Sequence, residues 1–294
     1  MSFSEKYNQI LDIVKNDIVE IEDRIFNSIK LSTEIDELLK VFLSTNAKRI
    51  RPLLAFLYLR ANNIEPTERH YDFLTAIEII HNASLIHDDV VDESDTRRGV
   101  KSINSRFNNK VAILVGDYLL SNSLSFLNRI NSPETIAICT KTLAGMCEGE
   151  VEQYFEKFQI PTLNIYLKKT EKKTAKLFET AVEGAMILSE VNELNLAKEF
   201  GYNFGMAFQI RDDIMNFRNR DELKPSQSDV KNGIYTAPVI FSGQIENVEA
   251  GFAKSQTLLS NYIDTAKKLL IGLQESSYKT GMLELLEILN DGKI

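Results

Sequence analysis

The chain has 294 residues, 44% of them apolar, enough to bury a sizeable core in one large domain or two. Its formal net charge of −8, from 34 basic and 42 acidic residues, excludes the overall basic field that nucleic-acid binding needs, so any anionic ligand must be held by local cations. With 13 glycines and 6 prolines, together about half of average usage, it is short of the residues that build hairpins and tight turns, which favours an all-helical protein.

Read in chain order, apolar residues recur at helical spacing almost throughout. Residues 5–29 place Tyr7, Ile10, Leu11, Ile13, Val14, Ile18, Ile21 and Ile25 at helical spacing, and shorter helices follow at 33–44 and 51–62, the second with Pro52 in its first turn, where a missing N–H does no harm. A long helix is expected from Pro66 or Thr67 to Asp92, with few charges on its central face, as in a helix packed among others. Further helices are expected at 108–130, 134–158, 164–190, 193–218, 237–246, 249–274 and 278–290, with a polar loop over 219–236. No Gly/Ser- or Pro-rich linker and no fixed repeat divides them, so the reading is all-α, one domain over residues 1–294. Cys139 and Cys147 lie about 12 Å apart along one helix, too far to bridge, and are expected as buried thiols in a reducing cytosol. No signal-peptide pattern opens the chain and no apolar run approaches the ~18 residues of a membrane span. The expectation is a soluble, cytoplasmic protein with at most peripheral membrane contact.

Two acidic clusters carry the chemistry: Asp88, Asp89 and Asp92 in the first, and Asp212 and Asp213, followed by Asn216, in the second. On a helix, positions 88, 89 and 92 fall within about 100° of arc, so the carboxylates converge and repel unless a cation joins them. Hard oxygen ligands at this spacing suit Mg²⁺, which keeps several waters and is completed by substrate phosphate. Cations are placed around the clusters: Lys48-Arg49-Ile50-Arg51 before a helix, Arg97-Arg98 just past the first cluster, Lys172-Lys173 within a helical stretch and Lys224 in the polar loop. Each basic pair alone reads as a solvated surface feature; their order relative to the acidic clusters argues otherwise. A nucleophile motif of the Gly-x-Ser-x-Gly type is missing, and His81 and His87, six apart, do not have zinc-site spacing. His87 reads as a core histidine bonded to backbone, Gly116-Asp117 as a helix-packing element, and Gly149 to Gln153 as either a cleft wall or an exposed helix face.

The ordered set Lys48-Arg49-Ile50-Arg51-Pro52, Glu78 to Asp92, Thr96-Arg97-Arg98-Gly99, Gly116-Asp117, Lys173-Thr174, Gly205 to Asp213, Lys224-Pro225, Asp229 and Gly233 to Pro238 resembles the trans-type head-to-tail isoprenyl diphosphate synthases, specifically their medium- and long-chain polyprenyl members. The resemblance implies a bundle of antiparallel helices around a deep cleft, usually in a homodimer. The reaction it implies is attack of isopentenyl diphosphate on the carbocation left when an allylic diphosphate ionises. By the same resemblance, Asp88, Asp89, Asp92, Asp212 and Asp213 bind Mg²⁺, three ions with substrate present. Arg97, Lys173 and Lys224 neutralise the allylic diphosphate, Lys48, Arg51, His81 and Arg98 hold isopentenyl diphosphate, and Thr174 and Gln209 line the allylic end where positive charge develops.

Departures from the family pattern are Asn46-Ala47 in place of glycines, Asn216 in place of aspartate, and Ile234 in place of a lysine, which removes one diphosphate cation. They keep open a partner-dependent subunit of a hetero-oligomeric synthase; a terpene cyclase is the other alternative, disfavoured by the basic set suited to a second diphosphate. For product length, a tail running down the helix from Asp88 passes Ser84, Ala83 and Ile80. Small residues at the first two leave the channel open and favour hexaprenyl to octaprenyl over farnesyl products, with Phe126 a candidate floor.

Overall fold

A computed structural model describes residues 3–31, 34–45, 47–97, 99–191, 194–218, 230, 232–245 and 248–290. Arg98, Lys224, Asp229 and Asn46 lie outside the described residues.

The described chain is helical: α1 (Phe3–Ile13), α2 (Lys15–Ser28), α3 (Glu34–Ser44), α4 (Ile50–Ala61), α5 (Glu68–Val91), α6 (Ile103–Arg106), α7 (Asn109–Ile130), α8 (Pro133–Phe155), α9 (Leu163–Thr170), α10 (Lys176–Leu188), α11 (Leu194–Arg218), α12 (Ala237–Ser242), α13 (Glu249–Leu269) and α14 (Ser277–Asn290). The single helix expected over 5–29 is broken at Val14, whose N–H turns back to Leu11 O at 3.2 Å instead of continuing the four-residue ladder. The helix expected to end at 246 stops at Ser242, because Gly243 takes φ 68°, the left-handed conformation that closes a helix. Missed entirely is a small hairpin between β1 (Thr96–Arg97) and β2 (Val100–Lys101), in antiparallel register Arg97 to Val100.

At the centre are α4, whose residues from Arg51 to Leu59 are all buried, and α5, buried on most of its circumference. A helix apolar all round belongs inside, and the others wrap these two. α7 lies along α5, and α10 packs on α4, α5 and α11. One continuous apolar cluster runs from Tyr7 to Leu289, and a Phe178–Phe204–Phe208 group, with ring centroids 5.4 and 5.3 Å from Phe178, fills the α10–α11 seam. Contrary to the expectation of no such run, α7 is long and apolar enough to cross a membrane by length and composition. One side of it packs on α5, while Ile113, Leu114 and Leu124 are exposed. Cys139 is buried as expected, but Cys147 is exposed on the outer face of α8; both thiols are free.

α5 begins with a capping box that sets its orientation. Thr67 N–H donates to His70 Nδ1 at 3.0 Å, so the proton sits on Nε2, which faces Ala185 O at 3.1 Å and Ser189 Oγ at 3.0 Å on α10. Burial holds the His70 pKa below its ordinary value of 6.5. A depressed pKa means that His70 contributes stability above pH 6.5 that is lost as pH falls through the folded-state value. The thermal midpoint should therefore fall more steeply below pH 6.5 in the native chain than in His70→Asn, whose amide oxygen can accept from Thr67 without titrating. Parallel profiles in a melting series would remove this role from His70.

Candidate active site

The C-terminal end of α5, the β1–β2 hairpin, the start of α4 and the middle of α9 to α11 enclose a cleft of about 660 Å³. Its walls bring together Lys48, Arg51, His81, Ser84, Asp88, Asp92, Arg97, Lys173, Thr174, Gln209, Asp212 and Asp213, residues spread over 166 positions of sequence between the first and the last. Helix α5 does not extend through the whole first cluster. It ends at Val91, and Asp92 is its C-cap, with its N–H bonded to Asp88 O at 2.8 Å.

Asp88 is half-buried in the cleft wall. Burial pushes its carboxyl up to about 7; Glu150 and Asp92 add to the rise, and Lys173 and Arg97 oppose it. Burial likewise raises Asp212, against Arg211 and Lys48. Asp89 faces away from the cleft: it is 1% exposed and its Oδ1 accepts from Arg97 Nε at 2.6 Å. It therefore aims the guanidinium of Arg97 at the cleft. The hairpin is what brings Arg97 back over the end of α5, and Asn104 Nδ2, bonded to Asp89 O at 3.2 Å, anchors the segment that follows it.

Lys173 and Thr174 lie in a π-helical turn, Glu171–Ala175, that interrupts the helix expected over 164–190. A wider turn needs room, and glycines on both neighbouring helices make it. A Cβ on Gly205 of α11 would sit 2.7 Å from Ala175 Cα, and one on Gly149 of α8 would sit 3.0 Å from Lys172 Cβ. The turn carries Lys173 to an ion pair with Glu150 and lets Thr174 Oγ1 donate to Gln209 Oε1 at 2.8 Å. Gln209 Nε2 in turn donates to Asp213 Oδ1 at 2.9 Å, and Tyr166 OH donates to Asp213 Oδ2 at 2.6 Å. A chain of hydrogen bonds thus links the π-turn to the second acidic cluster. Lys172 points elsewhere, to Glu152 Oε1 at 2.7 Å.

The first basic motif divides in two. Arg49, 2% exposed with φ 49°, is spent on Glu78 Oε1 at 3.0 Å and Leu43 O at 2.7 Å, which holds the loop before α4. Lys48 and Arg51 face the cleft, and the Arg51 guanidinium lies 4.5 Å from the centroid of Phe178. His87 bonds to backbone as expected, 3.3 Å from Ile113 O, but it is partly exposed instead of in the core and also lies 3.4 Å from Asp117 Oδ1; Gly116 makes space for it, since a Cβ there would be 2.2 Å from His87 Nε2. Of the residues expected to set product length, Ser84 lines the cleft, whereas Ala83 and Ile80 are closed into the core at 0% and 3% exposure. Phe126 lies beneath Arg129 beside a separate hollow along α2 and α7. Asn216 is exposed and is not part of the cleft lining, while Ile234 is.

Sequence reading missed Tyr166, Lys169 and Phe208 as lining residues, whereas Gln153 lines the cleft, one of the two readings given for Gly149 to Gln153. A usable signal existed for Lys169, which lies four residues before Lys173 and so on the same helix face. Burial lowers the pKa of Lys169, against the pull of Asp213.

The residues present fit a hard divalent cation. Asp88 and Asp92 stand one turn apart on one wall with Asp212 on the other, and the burial that disfavours a bare Asp88 carboxylate would be offset by a bound cation. Among the described residues no three His, Cys, Asp or Glu side chains converge on one ion position. An ion held here would accordingly take phosphate oxygens and water to complete its shell.

This arrangement, a helical bundle with paired carboxylates and cations around one cleft, is that of an isoprenoid synthase fold. The polyprenyl synthetase family model matches residues 32–269. A prenyl transferase from Cyanophora paradoxa is 41% identical over 207 residues, covering 68% of this chain and 64% of that protein. Component 2 of the heptaprenyl diphosphate synthase from Geobacillus stearothermophilus is 30% identical over 299 residues, covering 91% of this chain and 93% of that one. The crystal structure of heptaprenyl diphosphate synthase from Staphylococcus aureus superposes with a TM-score of 0.89 at 26% identity, covering 96% of this chain and 99% of that one. The chain belongs to the polyprenyl synthetase family and is a prenyltransferase.

Proposed function

We propose that this enzyme joins isopentenyl diphosphate head to tail to an allylic diphosphate, in the presence of Mg²⁺, and repeats the addition to give a medium or long all-trans polyprenyl diphosphate. The observation that carries the reading is the meeting of Asp88 and Asp92 with Asp212 across one cleft, with Arg97, Lys173, Lys48 and Arg51 around them. Bound Mg²⁺, three ions with substrate in place, would supply Lewis-acid neutralisation of the departing diphosphate, with Asp88, Asp92 and Asp212 as its protein ligands.

Arg97, held by Asp89, and Lys173, held by Glu150, present fixed positive charge to the allylic diphosphate, so little reorganisation is needed as its carbon–oxygen bond breaks. Lys48, Arg51 and His81, which line the same cleft, hold the second diphosphate. Thr174 and Gln209 keep polar atoms at the allylic end through their mutual hydrogen bond. As the new carbon–carbon bond forms, the proton lost from the isopentenyl unit passes to the released diphosphate.

A homodimer is supported by the outer face of α7, where Leu114 and Leu124 are 67% and 60% exposed. A second reading, a subunit active only with a partner, draws on Ile234 at a position where the resemblance calls for a cation and on relatives named as component 2 of a two-component synthase. One assay separates the two: the purified chain, sized by sedimentation, with farnesyl diphosphate, labelled isopentenyl diphosphate and Mg²⁺. Elongation by the chain alone is the expected result. No product without an added second component would establish the second reading.

A further inference from the structure

Position 234 of this chain places an apolar side chain in the cleft wall, where the family pattern calls for a lysine. Lys169, in the last turn of α9 just before the π-turn, lines the same cleft. The two side chains line the same cleft and meet again at a small hollow beside it, together with Gly233 and Tyr235. The other cations facing the allylic end already have carboxylate partners, Arg97 with Asp89 and Lys173 with Glu150. Lys169 differs: it is half-buried, and among the described residues its ammonium makes no hydrogen bond and no ion pair. A lysine withdrawn from water without a direct counter-charge is costly to maintain unless an anion completes the site, and its four-carbon stem lets the ammonium follow that anion.

We infer that Lys169 supplies, from the helical wall, the diphosphate cation that Ile234 does not supply from the loop wall. The inference rests on the reading of the cleft as a diphosphate site and assigns Lys169 to the allylic diphosphate, because Lys169 lines the cleft with Lys173 and Asp213.

The test compares the native chain, Lys169→Met, Lys169→Arg and the double variant Lys169→Met/Ile234→Lys. Two readouts are taken: calorimetric binding of inorganic diphosphate with Mg²⁺, and separate KM values for farnesyl and isopentenyl diphosphate. Loss of one charge-assisted contact should weaken diphosphate binding and raise the farnesyl diphosphate KM by about tenfold to a hundredfold in Lys169→Met, with the isopentenyl diphosphate KM unchanged. Lys169→Arg should remain near native, and the double variant should recover most of the loss, which a merely structural lysine would not permit. Lys169→Gln replaces Lys169→Met if methionine impairs folding. Native affinity in the charge-loss variant, an equal loss for both substrates, or no recovery with Ile234→Lys would each overturn the assignment. A native chain that binds diphosphate normally but never elongates would instead overturn the proposed function, leaving the binding comparison to judge Lys169.

Discussion

Replacing Asp88 by alanine should lower kcat by about a thousandfold or more while the protein stays folded. A metal ligand that meets charge developing on the leaving diphosphate contributes several kcal/mol to the barrier, and about 1.4 kcal/mol corresponds to a factor of ten in rate. The fold has little to lose at this position. Desolvation, Glu150 and Asp92 all disfavour the charged form of Asp88, so its removal relieves like-charge crowding in the metal-free protein. The thermal midpoint of Asp88→Ala without Mg²⁺ should equal or exceed that of the native chain. Asp213→Ala is the informative contrast. It deprives Tyr166 OH and Gln209 Nε2 of their acceptor inside a buried network, and it should lose both turnover and about 2 kcal/mol of stability. Kinetics beside melting curves decide the matter: if Asp88→Ala lost stability and activity in proportion, Asp88 would be a structural residue.

Ser84→Phe should shift the product distribution to chains several isoprene units shorter. Ser84 lines the cleft one turn below Asp88, and its hydroxyl is bonded only locally, to His81 O at 2.8 Å, so a phenyl ring there enters the space a growing tail must cross. Ala83→Phe makes the contrast. Ala83 is 0% exposed, and a ring forced into that packing should cost about 1–3 kcal/mol or more before it affects any product. Reverse-phase chromatography of the labelled, dephosphorylated products reads the first effect, and denaturant unfolding reads the second. An unchanged length distribution in Ser84→Phe would mean that the tail leaves by another route.

The helical class was legible in the sequence because apolar spacing and a shortage of turn residues are local signals, and local signals survive into the fold. The boundaries that were misjudged depend on longer-range geometry. Val14 ends its helix where the chain turns to bring both α1 and α2 onto the core, and the β1–β2 hairpin has only four paired residues, too few to register as alternation. The acidic clusters and the basic motifs were likewise visible as residue types in order.

Residue order alone left open which atoms of those motifs face substrate. Three adjacent aspartates look equivalent on a helical projection, yet Asp89 is turned inward to orient Arg97, Asp88 faces the cleft and Asp92 caps the helix. Adjacent Lys172 and Lys173, in a π-turn fitted between two glycines from distant helices, take different partners, Glu152 and Glu150, and only Lys173 lines the cleft. The sequence by itself determined the fold class and the family, since these depend on composition, periodicity and motif order. Tertiary structure alone decided which carboxylates line the cleft, how the π-turn ties Thr174 to Gln209, and that Lys169 and Ile234 line the same cleft. The physical reason is that each of these depends on the packing of helices far apart in the chain.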